Sequence, residues 1–311
     1  MTTAVLVLAR TLHIGSAMML FTLPYFMLVI LRPVFAADPV ESHDSFCRGV
    51  IKWLWVALIL EAVSGFIWFW FVAAQMSGQS PWGIPDPADL NTVLGQTQFG
   101  RVWLGRAIVG VVLGVALSFV ARRKTVLPSR PALLNCLVIS GCLLISLAWA
   151  GHAAAGVHHH ALHLLADALH LLIGSIWPMG LIPLACFLWR IDRRNQILPA
   201  DQDIRVLQRF SHISLLAVLI LLVTGFINGW LMLGSWKALV TTTYGRLLLG
   251  KVLVVGIMIC LGAVNRLCLL PRIRDAPLMF QALRRVIIVE SCLALVVLLI
   301  VGAMGMTSPP S

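Results

Sequence analysis

The chain is patterned in long apolar blocks separated by short polar connections. Eight blocks recur, at roughly 4–31, 51–73, 100–121, 132–152, 162–189, 208–233, 246–266 and 283–305. A helix rises about 1.5 Å per residue, so about 20 apolar residues cross the hydrocarbon core of a bilayer. The pattern therefore predicts an all-α polytopic membrane protein with eight transmembrane helices. No polar stretch is long enough to build a separate water-soluble core. The N-terminus lacks a basic leader and a small-residue cleavage site, so the first block reads as a retained helix rather than a removed signal peptide.

The blocks repeat in order. Leu12-His13-Ile14 in the first matches Leu169-His170-Leu171 in the fifth. Ser64-Gly65-Phe66-Ile67 in the second matches Thr224-Gly225-Phe226-Ile227 in the sixth. Phe99-Gly100-Arg101 and Leu104-Gly105-Arg106 match Tyr244-Gly245-Arg246 and Leu249-Gly250-Lys251. The fold expected is two parallel four-helix repeats, 1–156 and 157–311, in one integral membrane domain. Because each unit has an even number of spans, their symmetry axis would lie along the membrane normal. His13 and His170 would then lie at equal depth. Gly65, Gly225, Ser64 and Thr224 also suit close helix packing.

Charge sets the expected orientation. Of the 311 residues, 60% are hydrophobic and 11% charged, against roughly 25% charged in soluble domains. Seventeen of the 23 Lys and Arg residues fall in the connections that follow the odd-numbered blocks. By the positive-inside rule those connections are cytoplasmic and both termini lie outside, which is the periplasm if the source is a Gram-negative bacterium. The net charge of +11 follows from these loops and needs no nucleic-acid partner.

Candidate chemistry gathers at the outer side. Six of the nine histidines lie within 149–177: His152, His158, His159, His160, His163 and His170. His163, Asp167 and His170 are spaced i, i+4, i+7, which puts them within about 60° on one helical face. Neutral imidazole is a common ligand for copper, zinc, nickel and haem iron, while thioether and thiolate favour Cu(I), so His13, His152, His163 and His170 are candidate metal ligands. Asp167 would orient a ring, bind metal or pair with Arg10, and Met304 or Met306 would add a soft ligand. Met18 and Met19 lie just beyond His13. Cysteine leans to the opposite side. Its seven residues form no CxxC pair, and Cys186 and Cys260 are the candidates for a cytoplasmic-side exit. Glu61 and Glu290 lie inside apolar blocks, where a charge needs a partner, water or a proton. They are candidates for an intramembrane relay, with Arg106 and Lys251 as possible partners. Asn228 and Asn265 are candidates for hydrogen bonds between helices.

Gly151-His152-Ala153, the H-x-x-x-D-x-x-H run from His163 to His170, Trp177, Arg209-Phe210-Ser211, Thr224-Gly225, Tyr244-Gly245-Arg246 with Lys251, and Asn265-Arg266 with Pro271 together resemble the copper resistance D family (CopD/PcoD). The first half joins that resemblance only through the internal repeat. The resemblance implies an inner-membrane protein that handles copper beside a periplasmic copper-binding partner of the CopC type. It also implies movement of copper from periplasm toward cytoplasm. No Walker A sequence is present, so transport would follow a gradient or couple to protons. The alternative is a membrane b-type cytochrome or cupric reductase, with His13 and His170 clamping haem b and Arg101, Arg106, Arg246 and Lys251 meeting its propionates.

Overall fold

A computed structural model describes residues 1–35, 44–83, 86–122, 127–150, 160–192, 199–274 and 276–307. Among them, eight helices are long and apolar enough to cross a membrane: Thr2–Phe35, Phe46–Met76, Gln98–Arg122, Arg130–Ala150, Ala161–Ile191, Asp201–Leu233, Thr243–Arg272 and Pro277–Met304. They are called here the first to eighth spans. Each corresponds to one apolar block, and several run past its ends. The sixth begins at Asp201, where Asp201 and Asp203 occupy a first turn that favours negative charge. Helices are the natural solution in lipid because every interior backbone group is paired within its own segment.

The spans are interrupted where the sequence removes a donor or loosens a turn. Pro24 lacks an N–H, and the first span continues through a π-helical stretch, Phe26–Leu31. Arg209 Nε donates to the carbonyl of Val29 in that stretch at 2.5 Å. The fifth span breaks between Ile176 and Leu181, across Pro178 and Gly180. The seventh widens into a second π-helical segment, Asn265–Leu269, before it ends at Arg272.

The connection over 76–98 contains a helix, Pro87–Gln96. Asp86 caps it by accepting from the N–H of Ala88 at 2.9 Å. A comparable short helix, Trp236–Thr241, precedes the seventh span. Thr97 Oγ1 accepts from Gly100 N–H at 2.9 Å, and Thr242 Oγ1 from Gly245 N–H at 3.0 Å. A Cβ at Gly100 would lie 2.1 Å from Val93 O, and one at Gly245 would lie 2.3 Å from Ala238 O. Both corners need glycine for backbone to approach backbone.

The first and fifth spans form the centre of the bundle. The first packs on the second, fourth, fifth and eighth, and the fifth on the first, fourth, sixth and eighth. Thr22 Oγ1 donates to Ser175 O at 2.8 Å across their seam, where Met18 lies against Gly174. The seventh span is almost wholly outward-facing, in contrast to the first. The end carrying Arg32, Arg122, Arg130 and Arg190 is called the basic end, and the opposite one the histidine end.

Candidate functional site

Two buried histidines are held in similar ways. His13, on the first span, is 0% exposed. Its Nδ1 lies 3.0 Å from the carbonyl of Glu61. A carbonyl only accepts, so Nδ1 carries the proton and Nε2 keeps its lone pair. That lone pair accepts from Arg106 Nη2 at 2.7 Å. Arg106 also meets Glu61 Oε1 at 2.8 Å and donates from Nη1 to Leu143 O and Ser146 Oγ, each at 2.6 Å. Of the two candidate partners for the intramembrane acids, Arg106 is the one that meets Glu61. Trp68 stands edge-on to the imidazole at 5.5 Å, Trp103 lies 4.9 Å away, and Gly65 permits their approach. Both ring nitrogens are engaged and the ring is walled in, so the His13 cluster is closed.

His170, on the fifth span, repeats the pattern with a weaker grip. Thr224 donates its hydroxyl to Ile220 O at 2.8 Å, so its oxygen accepts from His170 Nδ1 at 2.9 Å. Nε2 then faces Lys251 Nζ at 3.4 Å, a long contact. Gly225 lies under the ring as Gly65 does under His13. At the positions matched by sequence, Asn228 stands for Trp68 and Leu248 for Trp103. Replacing two indoles by smaller side chains leaves space, and a cavity of about 180 Å³ lies here.

The cavity is lined from the fifth span by His163, Asp167 and His170, from the first by Arg10, from the seventh by Tyr244 and Lys251, and from the eighth by Met304. Arg10 stacks its guanidinium 4.3 Å over Trp68, and its Nε is buried without a hydrogen-bond partner. Asn228 Oδ1, an acceptor, is likewise buried without a partner. The wall thus offers two imidazoles, a carboxyl and a thioether, opposed by two cationic side chains. Among the described residues no three His, Cys, Asp or Glu side chains are close enough to hold a metal together.

The remaining candidates are dispersed. His13 turns toward Gly65 and Arg106 and does not line the cavity with His163 and His170. His152 lies outside the described residues, as do His158 and His159. Met306 is partly buried against an apolar cluster, and Met18 is buried against Gly174. Cys186 and Cys260 are exposed on the outside of the bundle. Lys251 sits beside His170, and Glu290 meets Asn265 Nδ2 at 2.5 Å instead. Sequence reasoning passed over Trp68 and Trp103 altogether and gave Thr224 only a packing role. The signal for all three was the repeat, which aligns them position by position with Asn228, Leu248 and Ser64.

The family model for copper resistance protein D matches residues 204–304, and that for the copper resistance protein D-like N-terminal domain matches residues 1–160. Copper resistance protein D of Pseudomonas syringae pv. tomato is 30% identical over 229 residues, covering 71% of this chain and 68% of that one. The chain belongs to the copper resistance D family. The first matched region ends just before the fifth span and the second begins within the sixth, so the fifth span lies between them. Inner membrane protein YebZ of Escherichia coli is 33% identical over 58% of each chain. Copper transport protein CutJ of Bacillus subtilis is 31% identical over 73% of this chain, which spans 40% of that longer protein. No solved structure matches. The membership assigns this copper resistance D protein to copper handling in the inner membrane. It also gives the Arg209-Phe210-Ser211 motif a physical reading. Arg209 satisfies the π stretch of the first span, Phe210 packs 6.4 Å from Phe26, and Ser211 accepts from Arg266 at 2.9 and 3.0 Å.

Proposed function

We propose that this copper resistance D protein moves copper from the periplasm toward the cytoplasm, loading it at the histidine end into the cavity lined by His163, Asp167, His170 and Met304. The observation that carries this reading is the convergence of imidazoles, a carboxyl and a thioether from the fifth and eighth spans on one 180 Å³ space. Neutral imidazole and thioether are suitable donors for copper. The cavity at rest holds Lys251 at the Nε2 edge of His170. Copper binding therefore requires the ammonium to withdraw, which makes Lys251 a movable charge that occupies the place of the cargo. A periplasmic copper carrier of the CopC type would deliver at this face, with both termini on the same side. The two halves, 1–156 and 157–311, act as parallel four-helix repeats. In the first the histidine is locked by Arg106 and two tryptophans, and in the second it is accessible. Cys186 and Cys260 face outward and are left out of the route.

A bis-histidine haem fits less well. Its iron would need the Nε2 lone pairs of His13 and His170, and the first of these is held by Arg106 at 2.7 Å. Metal analysis and an absorption spectrum of the purified protein separate the two readings. The copper reading expects bound copper and no Soret band. His170→Ala should reduce the copper bound, and unchanged stoichiometry and affinity in that variant would refute the site.

A further inference from the structure

A second cavity, of about 320 Å³, lies toward the basic end between the fifth, sixth, seventh and eighth spans. Its walls are mostly apolar, yet three buried oxygens in its lining residues have no hydrogen-bond partner: Glu290 Oε1, Asn265 Oδ1 and Ser214 Oγ. Glu290 is 1% exposed and stands midway along the eighth span. Gly262 lies opposite, and a Cβ there would come within 3.4 Å of Glu290 Oε1, so the seventh span leaves room at this carboxyl. Asn265 opens the π-helical segment and donates its Nδ2 to Glu290 Oε2. Such widened turns recur at functional sites.

Charge decides what the group needs. Glu61 has Arg106 as its counter-ion, whereas no basic side chain among the described residues forms an ion pair with Glu290. The other ionisable group lining the cavity is Arg266, whose guanidinium is engaged with Ser211. The sixth and fifth spans contribute no ionisable side chain to the lining, and the eighth contributes only Glu290. A bare carboxylate at mid-membrane is costly and is found with a partner or a neutralising ion. The oxygens available are hard donors, unsuited to the soft copper chemistry of the histidine end.

We propose that Glu290, positioned by Asn265 and sharing the cavity with Ser214, holds one exchangeable monovalent cation, a proton or a sodium ion, admitted through this cavity from the basic end. As the coupling site for copper movement it rests on the transport reading. As an ion site it stands alone, and its test needs no copper.

The test is labelling of the full chain in liposomes with dicyclohexylcarbodiimide, which reacts with protonated carboxyls in apolar surroundings, read by peptide mass spectrometry. Glu290 should be labelled in the folded protein, and labelling should fall as pH rises. Glu61, paired with Arg106, should stay unlabelled, and Glu290→Gln should lose the modified peptide altogether. Protection by sodium at fixed pH identifies sodium as the occupant, and indifference to sodium with retained pH dependence identifies the proton. Labelling at Glu290 that responds to neither pH nor sodium overturns the site. So does its absence in folded protein when the denatured chain is labelled. If labelling behaves as stated and liposomes take up no copper, the transport reading fails and the ion site remains.

Discussion

At His13 the imidazole donates from one edge to a backbone carbonyl and accepts at the other from a guanidinium that also serves Glu61. Removing Arg106 would leave a buried carboxylate and an unfilled imidazole edge together. Arg106→Ala should therefore destabilise the protein by roughly 3–5 kcal/mol, read as a lower thermal unfolding temperature in detergent. Adding Glu61→Gln to that variant should recover part of the loss, and no recovery would show that the pair is not the cause. At His170 the opposing cation is only 3.4 Å from Nε2, so Lys251→Met should bind copper more tightly. About tenfold corresponds to roughly 1.4 kcal/mol and is within reach of titration calorimetry. Weaker binding in that variant would mean that the ammonium supports the site. Sequence alone identified these histidines and acids, and named Arg106 and Lys251 as possible partners for the acids without assigning either. It could not tell that His13 is sealed and His170 open, because that difference lies in Trp68 and Trp103, which read as ordinary apolar residues.

Among whole helices, the contacts that matter are set by missing side chains. A Cβ at Gly302 on the eighth span would lie 2.1 Å from Thr11 Oγ1 and 2.9 Å from Val7 O on the first, whereas one at Gly250 on the seventh would meet nothing within 4 Å. Gly302→Ala should cost about 1–3 kcal/mol by overpacking the central seam. Gly250→Ala should be neutral or stabilising by up to about 1 kcal/mol through helix propensity. Thermal unfolding of the two variants side by side checks this, and equal effects would contradict the packing described. The spans themselves were legible because a run of about 20 apolar residues has few alternatives. Which spans lie at the centre was not, since lipid is as apolar as a helix interface and burial leaves little trace in composition. The π segments were equally hidden. Pro24 announces the first in part, but nothing local in Asn265–Leu269 announces the second.

Taken whole, the molecule has a histidine end with one cavity and a basic end with another. If the basic end is cytoplasmic, a reporter active only in the periplasm should work when fused after residue 156 or at the C-terminus. It should be silent when fused in the connection over 122–130, and the reverse pattern would invert the proposed direction of copper movement. Four spans, the fifth to the eighth, reach both cavities, and the seventh is the most outward-facing of them. The seventh span carries Lys251 to the first, and Gly262, Asn265 and Arg266 to the second, while turning nearly all its remaining surface outward. The machinery at both ends is thus hung on a helix whose main neighbour is acyl chain rather than protein. Bilayer thickness then acts on it directly, through tilt. Copper uptake measured in short-chain and long-chain phosphatidylcholine vesicles should differ more than the stability of the bundle does.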